Sequence, residues 1–150
     1  MNILMICGQL WPQSSNNSNI LKTLLSHLAQ NHRIHLLASA SSLDALPESI
    51  DGFPVHWVTD THRGFIRRFL LPAAARCIDP NGFSDALQAM LIVRRALELK
   101  KEFPFDAIIC SMEPVPAGIA GAFLPFSGKR IVYLMDPPGM VCDENNNTTF

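Results

Sequence analysis

The sequence predicts an α/β fold: an open, mostly parallel sheet with helices on both faces. Three observations carry that expectation. Short apolar runs without polar alternation recur along the 150 residues, and such runs suit strands buried on both faces. Between them lie stretches with apolar residues at helical spacing. The two kinds alternate along the chain rather than segregate, which is the pattern of a sheet covered by crossover helices.

The first strand is Ile3 to Cys7, apolar and closed by Gly8. A polar loop follows, through Gln9, Trp11-Pro12 and Gln13 to Ser18. Asn17 or Ser18 suits an N-cap, since its side-chain oxygen can accept from an orphan N–H of the next turn. From Ile20 a helix carries Ile20, Leu21, Leu24, Leu25 and Leu28 on one stripe. Asn31-His32 ends it, and Arg33 to Ser39 is the second strand. Strand, loop, helix and strand make a βαβ unit, whose crossover is right-handed.

Ser41 to Pro54 is a Ser/Asp/Pro/Gly-rich connector before a short third strand, Val55 to Val58. Gly64 to Cys77 is helical by pattern, interrupted at Pro72, and Ile78 to Gly82 is a turn. Ser84 then caps a long helix, Asp85 to Glu102, with its apolar face on Ala86, Met90, Val93 and Leu97. Asp85 and Lys100-Lys101 match the two ends of its dipole. Phe105 to Cys110 is the fourth strand and Val115 to Phe123 a short helix. Lys129 to Met135 is the fifth strand, stopped by Asp136-Pro137-Pro138. The pattern predicts one Rossmann-like, doubly wound domain over residues 1–140 and a flexible tail over 141–150.

Composition narrows the function classes. A hydrophobic fraction of 48% against 17% charged residues excludes a disordered chain. Twelve basic and thirteen acidic residues leave a net charge of −1, so no basic field points to nucleic acid. Met1 to Gly8 has no positively charged leader, and no apolar run reaches the ~18 residues of a membrane span. Cys7, Cys77, Cys110 and Cys142 are widely spaced without a Cys-x-x-Cys, so each reads as a small buried apolar residue of a reduced, cytoplasmic protein.

In such sheets ligands bind outside the carboxyl ends of the strands, where the strand order reverses. Three loops leave those ends. Gly8 to Ser18 feeds a helix N-terminus that would favour a phosphate, with Asn16 and Asn17 able to take left-handed conformations; it reads equally as a solvated loop with a helix cap. Gly8 is its only glycine, so neither a dinucleotide fingerprint nor a Walker sequence is present. In the second loop, Ser111 precedes Glu113, a carboxylate for a sugar hydroxyl or a helix cap. In the third, Asp136 stands at a strand terminus that could hold an acid–base group rigidly, or simply initiates a turn before proline.

His27, His32, His35, His56 and His62 show no metal-ligand spacing, and no Gly-x-Ser-x-Gly supports a hydrolase. Arg63, Arg67 and Arg68, interleaved with Phe65, Ile66 and Phe69, form a basic apolar segment. It suits peripheral contact with an anionic membrane surface, or packing on its own domain with solvated arginines.

Taken together, these segments resemble the N-terminal domain of group 1 (family 4) glycosyltransferases of the two-domain GT-B architecture. The carrying residues are Asn2 to Cys7 with Trp11-Pro12, Leu24 to Ala29 with Arg33 to Leu37, and Ile78-Asp79-Pro80 before a long helix. Phe105 to Ser111 with Glu113-Pro114, and Ile131 to Pro137, complete the set over residues 1–138. The chain departs from the family where Ser14-Ser15-Asn16-Asn17 replaces a glycine pair, and where Met135 and Pro138 replace Arg and Trp.

The resemblance implies transfer of a sugar from a nucleotide-sugar co-substrate to a sugar, lipid-linked or protein acceptor, with no further cofactor. It implies acceptor binding around Ser111 and Glu113, a catalytic role for Asp136, and a loop of Gly8, Asn16, Asn17 and Ser18 facing the donor phosphates. It also implies a second, donor-binding domain that these 150 residues do not include, so the isolated chain is expected not to turn over. The alternative from another class is a non-catalytic α/β binding module, or one that pairs as a homodimer.

Overall fold

The computed structural model describes residues 1–7, 16–40, 46–59, 80–111, 115–133, 141–142 and 148–149. The first strand, β1 (Asn2–Cys7), is buried from Ile3 onward. Helix α1 (Asn16–Leu28) leads to β2 (Arg33–Ala40). A two-residue strand, β3 (Ser49–Ile50), turns into β4 (Phe53–Thr59). The long helix α2 (Pro80–Glu102) precedes β5 (Ala107–Ser111), then α3 (Val115–Phe123) and β6 (Lys129–Tyr133). Two further two-residue strands, β7 (Val141–Cys142) and β8 (Thr148–Thr149), pair antiparallel apart from the main sheet, in a stretch expected to be a flexible tail.

The main sheet runs β3-β4-β2-β1-β5-β6. All neighbours are parallel except β3 and β4. Alternation along each strand divides the core between two faces. Ile3, Met5 and Cys7 join Ile34, Leu36, Val55 and Ile109 on one face, under Leu21 and Leu25 of α1. Leu4 and Ile6 join Leu37, Val58, Ile108 and Cys110 on the other, under Ala89, Ile92, Ala96 and Leu99 of α2 and Ala117 and Ala120 of α3. The sheet is therefore open, mostly parallel and covered by helices on both faces, as the alternation of elements predicts.

Four local expectations are corrected. The connector before β4 contains a hairpin: Ile50 pairs with Phe53, and Asp51 (φ 50°) and Gly52 (φ 84°) both turn left-handed between them. Two positive φ values at the central positions are the type I′ geometry that matches strand twist. Helix α1 starts at Asn16, so Asn17 and Ser18 lie in its first turn instead of capping it. Helix α2 starts at Pro80, because proline's fixed φ suits the first helical position; Pro80-Asn81-Gly82 is thus helix, not turn, and Ser84 lies inside it. Finally, α2 buries Ala89, Ile92, Ala96 and Leu99, whereas Met90 of the predicted face is 68% exposed.

The amino ends of three neighbouring strands are tied through one residue. Asp106 accepts from the Asn2 backbone N–H at 2.7 Å through Oδ2, and its own N–H donates to the Asn2 carbonyl at 2.8 Å. Its carbonyl accepts from Lys129 N–H at 3.2 Å, so β1, β5 and β6 start together. At the far end of α3, Arg130 donates to the carbonyls of Ala122 and Leu124 at 2.8 and 2.7 Å, capping a C-terminus whose dipole favours a cation.

Candidate functional site at the carboxyl edge of the sheet

Strand order reverses between β1 and β5. From β1 the chain moves outward to β2 and β4, and from β5 it moves the other way to β6. Register brings Ile6 opposite Cys110 and Ser111 opposite Tyr133, so β1, β5 and β6 end on one edge. Helices α1 and α3 begin on that same edge, directly after β1 and β5. Their amino-terminal turns therefore flank the point where a doubly wound sheet opens its crevice.

Of the predicted residues, Ser111 closes β5 and is buried. Asn16, Asn17 and Ser18 form the first turn of α1, on the edge where the phosphate-facing loop is expected. Gly8, Glu113 and Asp136 lie outside the described residues, as do Arg63, Arg67 and Arg68 of the basic apolar segment. The sheet thus brings the exits of the three loops together, and only Ser111 contributes a described side chain.

The same edge gathers buried polar groups, and one of them, Gln88, was not singled out from the sequence. Ser84, Gln88 and Ser111 are the buried polar side chains among the described residues. Gln88 Nε2 donates to Ser39 Oγ at 2.9 Å, joining the first half of α2 to the end of β2. A buried amide needs such a partner, since desolvation without one is unfavourable. The signal was available: Gln88 lies on the helical stripe that continues through Ile92, Ala96 and Leu99.

The floor of this edge is apolar and holds no thiolate. Burial alone pushes the Cys7 thiol up to about 12, and its Sγ lies 3.8 Å from the Leu37 carbonyl. Burial likewise raises Cys110 to about 11, with Arg130 acting weakly in the opposite direction. Both are free thiols, as their spacing suggests, and neither is a nucleophile at neutral pH.

Among the described residues, concavities lie elsewhere. An apolar groove of about 660 Å³ runs between the outer sides of α2 and α3, lined by Met90, Val93, Leu97, Ile119 and Phe123 with Arg94 at its rim. A second, of about 650 Å³, lies at the amino edge near His32, Arg33, His35 and Phe103. Among the described residues there is no cluster of three metal-ligating side chains, and no helix is long and apolar enough to cross a membrane. No protein-family model matches the chain, and no curated protein matches it in sequence.

Proposed function

We propose that this chain is the acceptor-side half of a two-domain glycosyltransferase, moving a sugar from a nucleotide-sugar donor onto an acceptor held at the carboxyl edge. The observation that carries the reading is the common exit of β1, β5 and β6 beside the reversal in strand order. A crevice there suits a polyhydroxylated acceptor, because buried polar groups such as Ser111 and the Gln88–Ser39 pair border an apolar floor. The helix starts on the same edge favour the donor's phosphates. Glu113 supplies an acceptor-binding carboxylate in this reading and Asp136 the catalytic one, both in the loops that leave this edge.

The experiment is calorimetric titration of the chain with candidate acceptors and, separately, with nucleotide sugars. Binding of an acceptor without binding of a donor supports the proposal. Robust transfer by the 150-residue chain alone, or donor binding without any acceptor, contradicts it. A second reading, a non-catalytic module that associates through its helices, rests on the apolar groove between α2 and α3. It predicts a concentration-dependent dimer that Phe123→Asp abolishes.

A further inference from the structure

Two histidines on neighbouring strands meet at the amino half of the sheet, away from the proposed site. His35 lies on β2 opposite Leu4, and His56 on β4 opposite Leu37. His35 Nδ1 is 3.1 Å from His56 Nε2. The ring planes differ by 8° and the centroids are 5.4 Å apart, about as far as that nitrogen contact allows. The two nitrogens therefore lie on the line between the ring centres. The rings sit end to end in nearly one plane, in the geometry of a single N–H···N hydrogen bond. A shared metal would need the two lone pairs to converge on a point to one side.

This bond needs one ring to donate and the other to accept, which fixes how many protons the pair can hold. Phe103, just beyond α2, closes over both rings, 4.4 Å from His35 and 5.9 Å from His56. Phe105 meets His35 edge-on at 5.5 Å. Phe103 is in turn held by its N–H to the Leu99 carbonyl at 2.8 Å.

We propose that the His35–His56 pair is an acid-sensitive latch, clipping β2 to β4 beneath the C-terminal end of α2 and opening when both rings carry a proton. Two imidazolium N–H groups cannot share this contact, and they would face each other as like charges. Arg33 on β2 and Arg95 on α2 oppose added positive charge, while Glu102 on α2 favours it at His56. Burial first, then Arg33, holds His35 below the usual histidine range. Burial first, then His35 and Arg95, does the same for His56. A lowered pKa in the folded state means that the unfolded chain binds more protons once the pH drops below the ordinary histidine value. The stabilisation is complete above that value and is lost as pH falls through the folded-state values. The two rings titrate as a coupled pair.

The test compares urea unfolding of the wild-type chain and His56→Gln at about pH 7.5 and about pH 5, on either side of the ordinary histidine pKa. A glutamine amide can donate to or accept from His35 Nδ1 in either of that ring's states. On acidification the wild-type unfolding constant is expected to rise by about tenfold more than that of His56→Gln. Equal changes in the two proteins overturn the latch. Nitrogen-15 titration of the wild-type imidazoles decides the matter even if the variant fails to fold. Two coupled steps below the ordinary range support the latch, and two independent, ordinary titrations overturn it.

Discussion

At the level of single residues, one glycine sets how near a helix comes to the sheet. A Cβ on Gly121 of α3 would overlap the Cys110 Sγ and lie 2.7 Å from its Cβ, so the helix rests directly on β5. Gly121→Ala is expected to destabilise the chain by about 1–3 kcal/mol, as overpacking of a tight core does. Urea melts will measure it, and Cys110→Ala in the same chain should recover part of the loss by removing the sulfur. The need for a small residue at 121 was not legible in the sequence, because it arises from a contact between segments far apart in order. The Asp51-Gly52 pair is the opposite case. Its dipeptide is itself a hairpin signal, and Ser41 to Pro54 looks like plain connector only when loop composition is read before turn chemistry. For Ser111, position at the end of an apolar run was enough to place it at the carboxyl edge.

At the level of elements, α2 shows what helical periodicity settles and what it leaves open. Apolar residues at helical spacing predicted the helix, but they occupy two stripes. Ala86, Met90, Val93 and Leu97 form one, while Ala89, Ile92, Ala96 and Leu99 form the other. Which stripe faces the sheet depends on fit: the small Ala89 and Ala96 let the helix settle closely on Leu37 and Ile108. The larger stripe is left outward, where Met90 and Phe123, at 68% and 78% exposed, border the groove with α3. Leu99→Ala is therefore expected to lose about 2–5 kcal/mol, the range for a fully buried leucine. Met90→Ala should stay within about 0.5 kcal/mol, as exposed substitutions do. Thermal melts of the two variants check the assignment, and a reversed order would put the sheet on the other stripe. Helix starts were less legible than helix faces. Asn16 and Pro80 begin their helices before the residues that resemble caps, since a good N-cap side chain is also tolerated within the first turn.

At the level of the whole molecule, strand order follows from rules that a sequence read as βαβ units already obeys. With α1 on one face and α2 and α3 on the other, the chain steps outward from β1 and returns past it to β5, leaving β1 and β5 side by side at the centre. That centre carries Cys7 and Cys110, whose burial raises their thiols to about 12 and about 11. A thiol reagent at neutral pH must wait for the sheet to open, because neither sulfur is accessible or ionised in the fold. In a Cys77→Ala/Cys142→Ala chain, labelling of the remaining pair should therefore be slow without denaturant. Its dependence on urea should match that of global unfolding measured by circular dichroism. Labelling that proceeds independently of urea would mean that β1 and β5 separate in a local opening. The crevice proposed above them would then lack the rigid floor that positioning an acceptor requires. Matched slopes would make the centre of the sheet the last part of the fold to open, and so a rigid floor for the crevice proposed above it.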